Sequence, residues 1–152
     1  MKQRIYIDTS VVGGYFDSEF STDTIPFFQS VMSGDFSIIV SELLIAELSL
    51  APDFVNNIID TIPPECKEFV PLTQEATVLA DMYITANVVG KTSRADCQHI
   101  AIATINNADV LVSWNFKHIV NLNRIRGYNA INYQHGYRML EIRTPKEVLN
   151  YE

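Results

Sequence analysis

Three carboxylates stand at positions where a folded chain has no evident structural need for a charge. Asp8 ends a short β-type run at residues 4–7, and Glu47 falls among leucines on a predicted helix. Asp96 lies in the first turn of a predicted helix whose middle is nearly all apolar. A lone carboxylate on an apolar face is costly unless something pairs with it. The pattern therefore predicts a shared partner for these side chains.

Each carboxylate also has a plain structural interpretation. Asp8 could begin an Asx turn with the two hydroxyl residues that follow it. Glu47 could meet a buried arginine or cap another element, although few arginines lie nearby in the sequence. Asp96 could complete a capping box with Ser93, which is a good N-cap residue, and the helix dipole favours an acid there as well.

The types of the candidate ligands indicate which ion they would hold. Clustered carboxylates repel one another, and their pKa values rise unless a cation is present. Oxygen ligands without sulfur or paired histidines favour Mg²⁺ or Mn²⁺. The three histidines form no zinc motif, and Cys66 and Cys97 have no metal-type spacing. A bound Mg²⁺ or Mn²⁺ can lower the pKa of a water and neutralise a phosphate under in-line attack.

The elements that would position these residues alternate as in an α/β protein. Strands are predicted at residues 4–7, 36–40, 68–72 and 110–112, with short ones at 130–132 and 139–142. Helices are predicted at residues 24–32, 42–51, 52–62, 74–86 and 93–105, with a last turn at 145–149. Gly13-Gly14 is predicted as a loop, and residues 116–123 as an edge or short helix closed by residues 124–127.

In a parallel α/β sheet, strand ends and the starts of the following helices share one edge. Asp8, Asp96 and Asn115, which stands beyond the strand at residues 110–112, are therefore expected to converge, with Glu47 reaching in from its helix. Asp109 precedes that strand and is expected at the opposite end. No glycine-rich phosphate loop and no Gly-x-Ser-x-Gly motif occurs in the sequence.

Composition and length favour one domain over residues 1–152, with 47% apolar residues. No apolar run approaches the ~18 residues of a membrane span, and the N-terminus does not resemble a signal peptide. The chain has two cysteines, which we expect to be reduced, and this favours a reducing, cytoplasmic setting. We therefore expect a cytoplasmic protein without a membrane partner.

The net charge of −7 argues against a nucleic-acid partner, but the distribution of charge is uneven. Residues 5–90 hold thirteen acids and one base, Lys67, whereas residues 91–146 hold eight bases and three acids. This asymmetry could place a metal site beside a phosphate-binding rim. Alternatively, the bases are scattered over solvated faces.

Four segments, taken in order, resemble the PIN-domain family, and in particular VapC-like ribonuclease toxins of type II toxin–antitoxin systems. They are IYIDTS, SELLIAEL, RADCQHIAIA and ADVLVSWNFKHI, and the resemblance covers nearly the whole chain. It implies a three-layer α/β/α sandwich around a mainly parallel sheet of four or five strands. It also implies an Mg²⁺- or Mn²⁺-dependent endoribonuclease, commonly a homodimer and commonly held inactive by a small antitoxin.

Matching motif by motif carries the family's site onto this chain. Asp8 corresponds to the first-strand acid, Glu47 to the helix acid and Asp96 to the third acid, and all three would hold the ion. Asn115 stands where many members have a fourth acid, and Ser113 matches the small hydroxyl before it. The amide is a departure, because it is neutral and a weaker metal ligand than a carboxylate.

The resemblance leads to a first hypothesis and two alternatives. The first is a ribonuclease that hydrolyses RNA with a metal-activated water, in which Asn115 and Ser113 orient the water or a ligand. Arg94, Lys117 and His118 would steady the RNA backbone. The second is a catalytically weak or inactive PIN-like module that binds RNA or protein. The third, a phosphatase with an aspartate nucleophile, is disfavoured because the usual Asp-x-Asp spacing is missing.

Overall fold

The sheet at the centre of the molecule has five strands, each parallel to its neighbours. The computed structural model describes residues 2–90 and 93–149. The strands are β1 (Gln3–Ile7), β2 (Phe36–Ser41), β3 (Lys67–Val70), β4 (Val110–Val112) and β5 (Ile142–Arg143). Their order in the sheet is β3-β2-β1-β4-β5. The predicted α/β class and parallel sheet are confirmed.

Helices cover both faces of this sheet. They are α1 (Thr9–Gly14), α2 (Ser21–Met32), α3 (Glu42–Leu48), α4 (Asp53–Asp60), α5 (Gln74–Thr85), α6 (Arg94–Ile105), α7 (Leu122–Gln134) and α8 (Pro145–Leu149). A 3₁₀ turn, Pro64–Cys66, leads into β3. Within residues 2–90 and 93–149, no helix is both long enough and apolar enough to cross a membrane.

The strands contribute side chains to two separate hydrophobic cores, one on each face of the sheet, because successive side chains of a strand point to opposite faces. Tyr6, Ile39 and Leu111 pack with α5, α6 and α7 on one face. Ile7 and Val40 pack with α1, α2 and α4 on the other. Full burial of one such aliphatic side chain contributes roughly 1.5–3 kcal/mol. Because both faces of the sheet are buried, the strands at residues 5–7 and 38–40 are continuous apolar runs, as is typical of parallel sheets.

The order of the strands creates a switch point between β1 and β4. From β1 the chain moves outward through β2 to β3, and then returns to place β4 and β5 on the other side of β1. Ile7 pairs with Val112, so Asp8 and Ser113 leave the sheet side by side. Ligands of open parallel sheets bind at such a point, beyond the carboxyl ends of the strands. Asp109 lies at the opposite end, as predicted, where its Oδ2 accepts from the Arg4 N–H.

Three loop, turn or strand predictions were wrong because the segments are helical. Gly13 and Gly14 end α1, which forms because the Asp8 side chain caps its start and two valines in the middle are buried. Residues 124–127 and 130–132, predicted as a closing turn and a strand, both lie within α7. The buried face of α7 carries Tyr128, Asn129 and Asn132, so its apolar periodicity is too weak to indicate a helix.

Other elements differ from the predictions mainly at their ends. α2 begins at Ser21, before the predicted start, so Pro26 lies inside the helix. α3 ends at Leu48, and the short last strand is Ile142–Arg143 instead of residues 139–142. Residues 116–119 form turns, and residues 122 and 123 begin α7, so the predicted segment 116–123 is neither an edge strand nor a short helix of its own.

Candidate functional site

Asp8 lies at the switch point and is almost completely buried, with 3% exposure. Its Oδ1 accepts from the Ser10 hydroxyl at 2.6 Å and from the Val11 N–H at 3.3 Å. Its Oδ2 accepts from the Ser113 hydroxyl at 2.5 Å. Burial raises the pKa of Asp8, against the opposing effect of the charge of His99 and of these hydrogen bonds. The structure therefore places a helix cap and a buried acid in one residue.

Asp96 lies half-buried near the start of α6, where burial raises its pKa. The charges of His99 and His118 and a hydrogen bond with Asn115 act in the other direction. The capping box, which was the structural alternative for Asp96, is not formed: Ser93 makes no side-chain cap, and its buried hydroxyl has no hydrogen-bond partner among the described residues. Asp96 is therefore not held by the start of its own helix.

Neither of these two acids is paired with a strong base. Across residues 2–90 and 93–149, no lysine or arginine forms an ion pair with Asp8 or Asp96. Two partly or fully buried carboxylates without a cation are an electrostatic cost to the folded state. Their surroundings therefore favour either protonation or the binding of a cation.

Glu47 meets a histidine, not the buried arginine of the structural alternative. Its Oε1 accepts from the Thr9 hydroxyl at 2.6 Å and lies 2.6 Å from His99 Nε2. The hydrogen bond with His99 lowers the pKa of Glu47 most, although burial opposes it. The side chain is one-third exposed, which explains how it is accommodated among the leucines of α3.

The residues after β4 form an ordered turn. Asn115 Oδ1 accepts from the N–H groups of Lys117 at 3.1 Å and His118 at 3.0 Å. Ser113 Oγ accepts from the Asn115 N–H at 2.9 Å while donating to Asp8. Because the carbonyl oxygen of Asn115 is engaged in the turn, its amide group is the part left to hydrogen-bond Asp96.

The three predicted RNA-contacting residues are in different situations. Arg94 forms an ion pair with Asp81 of α5, with both side chains about half exposed. Lys117 is exposed. His118 is half-buried, and its buried Nδ1 finds no partner in the described part of the chain. Lys91, which was counted with the basic half of the sequence, lies outside the described residues.

Four residues of the site were not predicted to have a role: Tyr6, Thr9, Ser10 and His99. The two hydroxyls follow Asp8 directly, and His99 lies three residues after Asp96, which puts both on one face of α6. That spacing was a usable signal for His99. Nothing local in the sequence indicates the contact between His99 and Glu47, because they are 52 residues apart.

The chemistry of the donor set fits Mg²⁺ or Mn²⁺, because all the acids offer hard oxygen atoms and two of them lack a cationic partner. In the described chain, however, no group of three His, Cys, Asp or Glu side chains is arranged to hold a metal ion. Simultaneous direct ligation by Asp8, Glu47 and Asp96 is therefore not the arrangement that the structure has.

No protein-family model matches this sequence, and no curated protein matches it either. Two solved structures share its fold over most of both chains. One is VapBC2 from Rickettsia felis bound to a promoter DNA fragment, with a TM-score of 0.55, 14% identity, and coverage of 93% of this chain and 98% of that one. The other is FitAcB from Neisseria gonorrhoeae, with a TM-score of 0.59, 12% identity, and coverage of 93% and 97%. The fold is PIN-like, as the sequence resemblance predicted.

Proposed function

We propose that this chain is a metal-dependent endoribonuclease and the toxin of a toxin–antitoxin pair. The observation that carries the proposal is the buried Asp8 carboxylate, which lies at the switch point of a PIN-like sheet without a basic partner among the described residues. Asp96 and Glu47 both interact with His99. Acidic groups are therefore clustered at the edge where a parallel sheet binds its ligands.

Each residue of the site has a part in this proposal. Asp8, Asp96 and Glu47 would hold Mg²⁺ or Mn²⁺ directly or through water. When bound, the ion would lower the pKa of a water and neutralise charge on the phosphate under in-line attack. Ser113 fixes Asp8 through its hydroxyl, and Asn115 fixes Asp96 through its amide.

Arg94, Lys117 and His118 would contact the RNA backbone. Lys117 is exposed and available for this role. Arg94 would exchange its ion pair with Asp81 for a phosphate, which costs little because exposed ion pairs contribute about 0–1 kcal/mol. The local bases thus offset the overall charge of −7 where the RNA would lie.

A small antitoxin protein and a second copy of the chain are the proposed partners. The fold shared with VapBC2 and FitAcB supports a place in such a system. Large apolar side chains are exposed at the surface, including Phe16 at 43% and Phe54 at 55% exposure, and such side chains could be buried in these interfaces. Light scattering coupled to size-exclusion chromatography tests the homodimer, which is overturned by a monomer mass at micromolar concentration.

The test of the proposed activity is cleavage of single-stranded RNA with Mn²⁺ and with EDTA. We expect cleavage only with the metal, and loss of it in Asp8→Asn. The matched control is Asp109→Asn, which changes an acid at the opposite end of the sheet and is expected to cleave normally. Equal cleavage in EDTA, or none with Mg²⁺ or Mn²⁺, would rule out the proposal.

One observation favours the alternative of a weak or inactive binding module. The oxygen of Asn115 is engaged by two backbone N–H groups, so it is poorly placed to act as a fourth ligand. An inactive module would bind RNA equally with and without metal and would not cleave it. Cleavage by the unmodified chain distinguishes the cases, because only a catalytic site would cleave RNA with Mn²⁺ and stop in EDTA.

A further inference from the structure

We infer that His99 is a positioning residue, which holds the carboxylate of Glu47 in place for an ion at the candidate site. The inference rests on the proposed function and adds a residue to it. His99 does not itself supply an oxygen ligand. It acts through Glu47.

The His99 ring is fixed at both nitrogens. It is 2% exposed, on α6, with Nε2 2.6 Å from Glu47 Oε1 and Nδ1 2.6 Å from the Tyr6 hydroxyl. The Tyr6 and His99 rings also meet edge to face, with centroids 5.7 Å apart. A carboxylate can only accept hydrogen bonds, so the proton in the contact with Glu47 lies on Nε2.

A series of hydrogen bonds links the start of α3 to Glu47 on the same helix, by way of Tyr6 and His99. The Tyr6 hydroxyl also bonds to Ser41 Oγ at 2.9 Å, and Ser41 caps α3 by accepting from the Leu44 N–H at 3.0 Å. α3 carries Glu47, which returns to His99. The start of the helix and the direction of its acid are therefore set by the same chain of buried groups.

This arrangement leaves one carboxylate oxygen available. Thr9 and His99 both bond to Oε1 of Glu47, and no described residue bonds to Oε2. A long, one-third exposed side chain would otherwise lose rotamer freedom on binding an ion. Residues that orient a metal ligand in this way typically contribute about 10–100-fold in metal affinity.

A double-mutant cycle on Mn²⁺ affinity, measured by titration calorimetry, tests whether His99 acts through Glu47. We expect His99→Asn to weaken Mn²⁺ binding about 10–100-fold, because the shorter amide does not reach Glu47. If His99 acts through the acid, the double variant with Glu47→Gln binds no more weakly than Glu47→Gln alone. His135→Asn, at an exposed histidine after α7, is the control and should bind Mn²⁺ normally.

Rescue by a longer amide separates positioning from packing. Glutamine can place its amide nitrogen near the position of Nε2, so His99→Gln should restore most of the affinity that His99→Asn loses. If neither variant folds, Tyr6→Phe removes the anchor of Nδ1 but keeps the ring. Its matched control is Tyr83→Phe, which removes a buried hydroxyl that donates to Asn132 at 2.5 Å on α7. Only Tyr6→Phe should weaken Mn²⁺ binding.

The outcomes distinguish this inference from the function on which it rests. A wild-type protein that binds no Mn²⁺ and cleaves no RNA overturns both. Wild-type binding together with additive effects in the cycle, or with equal affinities for the two tyrosine variants, overturns the role of His99 alone.

Discussion

Asp8 combines two roles that a sequence presents as alternatives. Its side chain caps α1 through the Val11 N–H and is tethered to β4 through Ser113. These bonds fix the direction of the carboxylate, and a fixed carboxylate makes a better ligand because less freedom is lost on binding. At this residue, the cap and the proposed ligand support each other.

Asp96→Asn tests whether the second buried acid is a ligand or a structural residue. Ser93 and Asp96 form no capping box at the start of α6. We therefore expect Asp96→Asn to change the melting temperature only slightly. If the carboxylate holds the ion, Mn²⁺-dependent cleavage should fall by at least about 10–100-fold, the loss typical of residues that only orient a metal ligand.

Asp23→Asn is the control for the effect of the helix dipole. Asp23 lies in the first turn of α2, as Asp96 lies in that of α6. For Asp23→Asn a small loss of stability is expected, ~0.3–1 kcal/mol, with full cleavage. Unchanged cleavage in Asp96→Asn, together with a large loss of stability, would show that Asp96 is structural.

At the scale of elements, the start of α3 couples stability to the site. Ser41→Ala removes the cap on the Leu44 N–H and one of the two partners of the Tyr6 hydroxyl. We expect a loss of roughly 1–2 kcal/mol in urea unfolding and a reduced rate of RNA cleavage, because Glu47 is on this helix.

Thr73→Ala is the matched comparison, because Thr73 caps α5 through the Ala76 N–H at 3.1 Å. It should lose ~1 kcal/mol of stability and leave cleavage unchanged. Equal cleavage rates in the two variants, measured well below both melting temperatures, would argue against the coupling between α3 and the site.

The two glycines of α1 are expected to respond in opposite directions to alanine. A Cβ on Gly14 would lie 2.8 Å from Trp114 Cδ1, and that indole is held by its N–H donating to Thr24 Oγ1. Gly14→Ala should therefore destabilise the protein in urea unfolding, by about 1–3 kcal/mol, and disturb the turn after β4.

Gly13 has open space where its Cβ would be. Gly13→Ala should stabilise α1 by about 0.5–1 kcal/mol, because alanine loses less backbone freedom in a helix. The same direction of change in both variants would contradict the packing of α1 against Trp114.

For the whole molecule, the buried acids predict how stability depends on pH in the absence of metal. Burial raises the pKa of Asp8 and Asp96 in the folded state. Their favourable contribution is complete below the ordinary aspartate pKa and is lost as the pH rises through the raised values. Glu47, whose pKa is lowered, contributes in the opposite sense, and its stabilisation is lost as the pH falls through the lowered value.

Urea unfolding in EDTA between about pH 5 and about pH 7 tests the contribution of Asp8. We expect the wild-type protein to lose more stability over this interval than Asp8→Asn, which has no charge to bury. Adding Mn²⁺ at the higher pH should restore stability to the wild-type protein and much less to the variant. Parallel curves for the two proteins would show that folding does not raise the pKa of Asp8.

The charge asymmetry of the sequence is only partly visible as a surface feature. Arg94 pairs with Asp81, Arg4 with Glu68, and Arg143 with Glu141. Several bases are thus engaged locally, while Lys117 is exposed beside the site. The interpretation that the bases lie on solvated faces holds for Arg94 and Arg143, whose ion pairs are partly exposed, and the phosphate-binding role of Lys117 stays a prediction.

The sequence by itself determined the features that depend on nearest neighbours along the chain. The apolar runs of β1, β2 and β4 and the N-caps at Ser41 and Thr73 follow from local patterns, and the structure has them. The order of motifs also predicted the PIN-like fold. Local patterns were sufficient for these elements because an apolar strand run and the caps at Ser41 and Thr73 each involve only a few consecutive residues.

Only the tertiary structure decided the contacts between distant segments. Tyr6 and Glu47 meet His99 across separations of 93 and 52 residues, and the order of the strands brings them together. Two asparagines of α7 are buried: Asn129 donates to the Leu140 carbonyl, and Asn132 donates to the Thr104 hydroxyl. Because these buried positions are polar, the sequence of α7 lacks the apolar periodicity of a helix. Partners that satisfy a buried polar group come from elsewhere in the fold, and a local pattern carries no information about them.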